Sequence, residues 1–554
     1  MSATLIKGEQ RMDVVGMLLS RLLISLKMFW IRHFYWRPLI NQTFRPQQVQ
    51  EKLLQKILDR NKQTDFGKTY GFAAIKNYHD YRQALPVQTY ETLRCLIERQ
   101  EGTRSSCLNA GQPVLYAQTS GTTGRPKYIP IFPKTLDQYR RSQHCAAYAI
   151  YSALPRAYAG KLLAVVSPAI EGYLPTGTPY GSMSGLIYRS MPQFVTASYV
   201  IPMQVLELDD YALKYHLIAV FALAEQNITM MATANPSTLL KIVEIINARW
   251  DTLIQEVAIG NTYGLVARPQ RSEMLKTLNY KKGKIVFADI WPNLQVVTTW
   301  TGGSCSVLIP SLQKQLSSMT RIVEMGYLSS EFRGSLTIDA VENRSILAIH
   351  ENFFEFVERD RWEDKSREFL TVSALQTGKQ YYVFVTTQNG LFRYFIDDII
   401  EVEGWYNHTP TIRFVQKGKG VVNLTGEKLY ENQVIHAVCA MMQRLKIEPH
   451  FFIMLGNPDL QQYTLYIATE PFTDASAILE KYLSDQNIEF AAKRQSGRLR
   501  QTIVRFVSGA AADAYKKYCI EQGQRESQFK LQKLQSVYDC GFDFENYEID
   551  RYAA

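Results

Sequence analysis

The sequence predicts an α/β fold in two parts, a large N-terminal one and a small C-terminal one, and three observations carry that reading. From about residue 135 to 300, helical segments such as Tyr211–Glu225 and Ser237–Trp250 alternate with short β-like runs at Leu162–Val166, Ile228–Ala232 and Gln295–Thr299. That alternation is the pattern of sheets covered by helices. Residues 335–415 are rich in extended runs, at Ser345–His350, Phe353–Val357, Gln380–Thr386, Ile399–Val402 and Thr411–Val415. After Gln416-Lys-Gly-Lys-Gly420 the pattern restarts, with Glu431–Leu445 helical, Phe451–Leu455 and Tyr463–Ala468 extended, and Asp474–Leu483 helical. The Gly/Lys stretch therefore divides residues 1–415 from 421–554.

Composition supports a packed interior. Of 554 residues 46% are hydrophobic and 21% charged, which excludes a disordered or low-complexity chain. The 62 Lys and Arg against 52 Asp and Glu give +10. These charges are scattered without a basic block or zinc-finger spacing, so nucleic acid is not an expected partner. Seven cysteines with no C-x-x-C pair speak against a disulfide framework and for a reducing, cytoplasmic setting. The eight histidines show no metal spacing.

Taken in order, the chain opens with an amphipathic extension over residues 1–45. Val14–Trp36 is apolar but interrupted by Arg21, Lys27 and Arg32, so no stretch reaches the roughly 18–20 uncharged residues of a membrane span. Nor does a short apolar core precede a small-residue cleavage site. Leu19, Leu22, Leu23, Leu26 and Trp30 share one helical face, with Arg21, Ser25 and Arg32 opposite. The expectation is a helix that docks on the main body through that apolar face, in preference to one lying on a membrane. Residues 44–102 read as helices, Gln47–Arg60 being amphipathic. Pro113–Gln118 is a short apolar run that feeds a loop of unusual chemistry.

That loop is Thr119-Ser120-Gly121-Thr122-Thr123-Gly124-Arg125-Pro126-Lys127. Its two glycines let the backbone approach a ligand, its hydroxyls donate to phosphate oxygens, and Lys127 adds a point charge for a polyphosphate. The G-x-x-x-x-G-K-[ST] spacing of a Walker loop is absent.

The S-G-T-T-G-x-P-K pattern resembles the phosphate loop of adenylate-forming enzymes. Gly326-Tyr-Leu-Ser-Ser-Glu331, Gly390-Leu-Phe-Arg-Tyr-Phe-Ile-Asp-Asp398 and Asn423-Leu-Thr-Gly-Glu-Lys-Leu429 narrow the resemblance to the auxin-responsive Gretchen Hagen family of acyl-acid amido synthetases. Ser167-Pro-Ala-Ile-Glu-Gly172, Pro179-Tyr-Gly-Ser182 and Ala232-Thr-Ala-Asn-Pro-Ser237 are in the style of its bacterial branch. The resemblance spans nearly the whole chain. It implies a large α/β adenylation domain, a hinge at 416–420 using Gly418 and Gly420, and a small mobile α+β lid over 421–554.

The implied activity is ATP-dependent. A carboxylic acid is adenylated with release of pyrophosphate, and its acyl group then passes to an amine, expected to be an amino acid. ATP and Mg²⁺ are the implied cofactors. Positioning and electrostatics do most of the work in such a site. The nucleotide set is Thr119, Ser120, Gly121, Thr122, Thr123, Gly124, Lys127, Tyr327, Ser330, Glu331, Asp398 and Arg413. Within it Tyr327 offers a flat face for adenine, Glu331 an oxygen for Mg²⁺, and Asp398 a carboxylate for the ribose. Lys127 and Lys530, the latter from the lid's Ser527-Gln-Phe-Lys530, are the catalytic cations. Tyr180, Trp300, Thr301 and Gly302 face the acyl substrate.

The chain departs from the family where Phe395-Ile-Asp-Asp398 replaces Arg-x-Gly-Asp, which leaves Asp397 as a second candidate for the ribose. Two other readings stand beside the amido synthetase. One passes the acyl group to a thiol, and the other is a nucleotide-binding or membrane-peripheral protein that has lost catalysis.

Overall fold

The computed structural model describes residues 22–549 apart from 120–126, 190, 192, 280–283, 303–304, 306–307, 364–365, 419, 448–450 and 522–532. Among the described residues the strands form five sheets. Strands β1 (Leu115–Thr119) and β2 (Lys127–Ile131) make an antiparallel hairpin in which Thr119 pairs with Lys127. Strand β3 (Lys161–Ala164) opens a second sheet, while β4 (Gly172–Tyr173) and β5 (Pro179–Gly181) return to the first in the order β2-β1-β5-β4.

Strands β6 (Ile228–Ala232), β7 (Val296–Thr299) and β8 (Arg321–Glu324) join β3 in an all-parallel sheet. Parallel neighbours need crossover connections. Here they are helices, and Tyr211–Ala224 buries every residue from Leu217 to Ala224 against them. The expected Ser237–Trp250 helix is two helices, Ser237–Ala248 and Trp250–Ile259. Arg249 leaves helical geometry between them and buried Trp250 starts the second.

Six antiparallel strands follow: β9 (Ser335–Asp339), β10 (Arg344–Leu347), β11 (Phe353–Glu358), β12 (Gln380–Thr386), β13 (Tyr394–Tyr406) and β14 (Thr409–Lys417). Their order is β11-β12-β13-β14-β10-β9. One face, with Phe354, Phe356, Val383 and Ile400, enters the core shared with β1, β2 and the Pro46–Asn61 helix. The other, with Val357, Tyr382, Phe384 and Ile399, is covered by Trp362 and Phe369. Alternation in Phe353–Phe356 thus marks a strand buried on both faces. Glu355 tolerates this burial because Arg393 Nε lies 2.9 Å from its carboxylate and Tyr78 donates to it at 3.0 Å.

The chain then forms a small pair, β15 (Val421–Val422) and β16 (Leu429–Tyr430), and a mixed sheet. That sheet holds β17 (Phe451–Asn457), β18 (Gln462–Ala468), β19 (Ile503–Phe506) and β20 (Leu534–Ser536) in the order β19-β18-β17-β20. Helices Glu431–Leu445 and Ala475–Gln486 cover one face over a separate core, and Ala510–Glu521 covers the other.

The N-terminal extension corrects one expectation. Residues 22–42 form a continuous helix with a π-turn at Arg32–Trp36, lying on the Pro133–Ala153 helix. It does so through Met28, Ile31, Tyr35 and Leu39, a second apolar stripe at three- and four-residue steps. Rings of Tyr35 and Trp36 meet His144 and Tyr148. The stripe expected to dock, Leu22, Leu23, Leu26 and Trp30, faces solvent instead, and Leu19 and Arg21 lie outside the described residues. No helix among the described residues is long and apolar enough to cross a membrane.

Candidate active site

The hairpin β1–β2 brackets the hydroxyl-rich loop. Ser120, Gly121, Thr122, Thr123 and Gly124 lie outside the described residues, and Thr119 and Lys127 form the last strand pair at its base. The hairpin is braced from below by Tyr90 of the Tyr90–Thr103 helix. Its hydroxyl accepts from Tyr128 N at 2.7 Å, and its ring lies 5.7 Å from Lys127 Nζ. On the other side Tyr180 of β5 is edge-on to Tyr128 at 5.4 Å, because β5 runs parallel to β1.

A second group assembles around Glu324 at the end of β8. Its carboxylate accepts from Thr301 N at 2.7 Å, from the Thr301 hydroxyl, and from Gly326 N at 2.8 Å. One acid thereby ties the Trp300–Gly302 loop to the Gly326–Glu331 turn. Gly326 turns with φ 91°, a left-handed conformation in which glycine carries no Cβ penalty. At Gly302 a Cβ would stand 2.8 Å from Phe414 O, so only glycine lets this loop lie against β14.

Tyr327 follows, and it is nearly fully buried (7% exposed). Phe414 stacks on its ring at 5.5 Å and Phe332 meets it edge-on at 5.3 Å. Its hydroxyl donates to Asp398 Oδ2 at 2.5 Å. Burial, with the charge of Asp398, holds the Tyr327 proton far more tightly than usual. A ring so enclosed has little face to give adenine, and its geometry is that of a residue orienting Asp398. Ser330 is half-buried and Glu331 buried, at the end of the same turn.

Asp398 lies in β13, opposite Lys417 of β14. Asp397 beside it has φ 60°, the left-handed conformation that a glycine would adopt freely. The family's missing glycine is therefore replaced in residue type and not in backbone shape, because aspartate is among the few side chains that visit this region. Asp397 O accepts from Gly418 N at 2.8 Å, and a Cβ at Gly418 would collide with the Asp397 carboxylate.

One expected residue stands elsewhere. Arg413 alternates with Phe414 on β14 and so points to the opposite face, where it pairs with Glu401 at 3.0 Å and Glu403 at 3.3 Å. Its place in the nucleotide set is not supported by this geometry. Lys530 lies outside the described residues.

Three residues of the site were missed by sequence reasoning. Tyr394 is wholly buried, and its proton is held by burial and by the fields of Glu331, Tyr430, Tyr90 and Asp398. It is the hub between hairpin, turn and β13. Phe414 and Glu324 complete the linkage, and neither belongs to a recognisable motif. Glu427 of the Asn423–Leu429 motif is fully buried and accepts from Leu424 N and Thr425 N, each at 2.7 Å, and from Tyr463. That glutamate organises a turn. Cys305 is buried, and desolvation with the charges of Glu324 and Glu427 pushes its thiol up to about 12, the wrong direction for a nucleophile.

Comparison with known proteins bears on this site. The GH3 family N-terminal, central and C-terminal domains match residues 37–321, 345–417 and 432–537. Indole-3-acetic acid-amido synthetase GH3.3 of Arabidopsis thaliana is 22% identical over 419 residues, 70% of each chain. GH3.17 of the same plant, also named an indole-3-acetic acid-amido synthetase, is 22% identical over 564 residues, covering 87% of this chain and 90% of its own. The solved GH3.15 acyl acid amido synthetase superposes with a TM-score of 0.64 at 19% identity, over 93% of this chain and 96% of that one. A 2-hydroxyisobutyryl-CoA ligase does so with 0.50 at 13%, over 89% and 91%. This likeness establishes the fold as that of the adenylate-forming enzymes.

Proposed function

The chain belongs to the GH3 family, and from that premise we propose that it is an ATP-dependent acyl-acid amido synthetase. It adenylates a carboxylic acid, releases pyrophosphate, and passes the acyl group to an amine, leaving AMP. The observation that carries the reading is convergence. Lys127 lies over the Tyr90 ring, the charges of Glu331 and Asp398 act on buried Tyr394, and contacts run from Asp398 through Tyr327 and Phe414 to Gly302. These interactions support a reading in which the base of the hydroxyl-rich loop at Lys127, the Gly326–Glu331 turn, Asp398 and the Trp300–Gly302 loop serve one site.

In this site Lys127 and the hydroxyls of Thr119–Thr123 take the phosphates. Asp398, oriented by Tyr327, takes the ribose hydroxyls. Tyr180, Trp300, Thr301 and Gly302 border the acid. The acid's oxygen attacks the α-phosphorus in line, the bond to pyrophosphate breaks, and Lys530 from the lid offsets the charge that develops. The amine nitrogen then attacks the acyl carbon, loses a proton, and displaces AMP. Carboxylate and nucleotide do the covalent chemistry, so the protein's contribution is placement and field.

Magnesium fits the residues present. Buried Glu331 supplies one carboxylate, and no three His, Cys, Asp or Glu among the described residues form a closed cage. That suits an ion which takes most of its ligands from triphosphate oxygens and water. When bound it supplies charge neutralisation at the phosphates. An amino acid as the amine follows the family, and the style of Ser167–Gly172, Pro179–Ser182 and Ala232–Ser237 supports placing the chain in the bacterial branch. The division at 416–420 is likewise our reading.

The deciding experiment incubates the purified protein with Mg-ATP, a pool of aryl and aliphatic acids and a pool of amino acids. Acid-dependent pyrophosphate release with an amide mass is expected. Pyrophosphate with a thioester mass upon adding coenzyme A, and no amide, would replace the amine by a thiol.

A further inference from the structure

Among the described residues the N-terminal helix leaves most of a second apolar face uncovered, Trp30 at its edge meeting Tyr35 and His144, and the chemistry around that face names its occupant. Leu22, Leu23, Leu26, Phe29, Trp30 and Phe34 recur at three- and four-residue steps and are 43 to 65% exposed. The opposite stripe through Ile31 and Leu39 is sealed on the Pro133–Ala153 helix. The exposed face is therefore turned outward, and apart from Trp30 its side chains are more than half exposed. So large a contiguous apolar patch on a soluble surface marks an interaction site.

Charge decides between occupants. No Asp or Glu occurs between Asp13 and Glu51, while Arg21, Lys27, Arg32, Arg37 and Arg45 fall within that interval. Lys27 is half-buried and Arg37 exposed on the helix itself, and Arg140 and Arg141 are exposed on the helix that supports it, Arg140 also pairing with Asp137 at 3.1 Å. A second copy docked face to face would bring these like charges together. An anionic surface would be met by cations at the rim and by Trp30, Phe29 and Phe34 at the level where aromatic rings favour a bilayer's headgroup boundary. Acid-free basic segments beside an apolar face are attracted to anionic lipid.

We propose that residues 22–37 form a docking surface for an anionic phospholipid bilayer, the helix lying in the headgroup plane without crossing. The expectation from sequence alone, that this apolar stripe is a packing face, is reversed by the structure. The inference is independent of the reaction proposed above, since none of its residues borders the site. Its consequence is to hold the site beside a phase into which amphiphilic carboxylic acids partition.

The test is co-sedimentation of the full chain with vesicles containing phosphatidylglycerol, or phosphatidylcholine alone, at low and high salt. Two paired variants are compared, Leu26→Glu with Phe29→Glu, and Lys27→Glu with Arg37→Glu. We expect wild type to pellet with anionic vesicles at least about tenfold more than with neutral ones, an advantage that salt erases. Both variants should lose that binding while keeping the wild-type melting temperature and pyrophosphate release. Absence of wild-type pelleting on anionic vesicles, or undiminished pelleting of Leu26→Glu with Phe29→Glu, would overturn the proposal. So would a lipid-free dimer by sedimentation velocity that this variant dissociates, because the face would then belong to a second copy.

Discussion

Asp397 and Asp398 show how two adjacent carboxylates acquire different work. Asp398 is 2% exposed and held by Tyr327, whereas Asp397 spends its left-handed backbone on a turn against Gly418. Replacing Asp398 by Ala should weaken ATP binding about 10- to 100-fold, the usual loss for hydrogen bonds to a charged group. Asp397→Gly should bind ATP normally and melt no lower, since relieving a non-glycine left-handed residue returns about 1–2 kcal/mol. Calorimetric titration separates the two, and the reverse order would move the ribose ligand to Asp397. A third carboxyl, Glu351, predicts the response to pH. Burial pushes it up to about 8 against the opposing charge of Arg333, while His350 beside it is held down at about 4. In the unfolded chain this carboxyl titrates near 4.5. Folding thus takes up a proton between about pH 4.5 and 8, so the stabilisation is complete below that window and is lost as pH rises through it. Glu351→Gln should flatten the melting profile across those values and raise the melting temperature at pH 8. An unchanged profile would remove Glu351 from this role. Tyr327 and Asp398 were singled out from sequence because each sits in a compact motif, though the burial of Tyr327 gives it a different part from the adenine face expected of it. Tyr394 shares the motif of Asp398 but, like Phe414 and Glu324 outside any motif, was not singled out, because its role exists only through partners tens to hundreds of residues away.

Strand β13 is the element on which the site is built, and its anchor is Arg393. The guanidinium is buried with Glu355 of β11 and also donates to Leu85 O at 2.6 Å and Arg82 O at 3.2 Å. The Arg in the Gly390–Asp398 motif therefore sets the strand's position, and Asp398 is the carboxylate proposed for the nucleotide. Arg393→Met should cost about 3–5 kcal/mol by leaving Glu355 buried without its partner. Adding Glu355→Leu should restore most of it, read by denaturant unfolding. If the double variant is no better than the single one, the interaction is not the anchor. Elements were read best where apolar pattern and length agree. Ile228–Ala232, Gln380–Thr386 and Glu431–Leu445 have the ends expected of them. Strand β13 was expected only over Ile399–Val402, yet it runs from Tyr394 to Tyr406. Its Asp397, Asp398, Glu401 and Glu403 break the apolar pattern, and cross-strand partners supply what the pattern lacks. The N-terminal helix failed differently. It carries two apolar stripes, and only the tertiary fit to Tyr148 and His144 selects which one is buried.

Across the whole molecule, the proposed reaction in two halves asks the lid over 421–554 to take two positions. The junction is built tightly. Strand β14 ends at Lys417, Gly418 N donates back to Asp397 O, and Gly420, at φ 85°, accepts from Glu431 N at 2.9 Å. Desolvation and, next to it, the charge of Glu489, which is paired with Lys493 at 3.0 Å, raise the Glu171 carboxyl of the large part. Among the described residues the C-terminal part thus meets the large part at a short strand exit, through charges and where Gly497 lies beside the Lys241 side chain, and the proposed reaction asks it to reorient. Gly418 is the point where the exit touches the site, because a side chain there would strike the Asp397 carboxylate beside the ribose ligand. Gly418→Ala should therefore slow amide formation by about tenfold or more while pyrophosphate release falls less, since only the second half-reaction needs the lid to turn after the nucleotide is held. Lys530→Ala should show the opposite split, with adenylation depressed and ATP binding intact, because its charge acts in the transition state of the first half. The two defects are distinguishable by single-turnover pyrophosphate and amide measurements on the same preparation. Combining Gly418→Ala with Asp397→Gly removes the colliding carboxylate and should restore amide formation, a coupling expected only of residues in direct contact. If the pair is merely additive, residue 418 acts through the linker's own flexibility and the hinge must be sought elsewhere in 416–420.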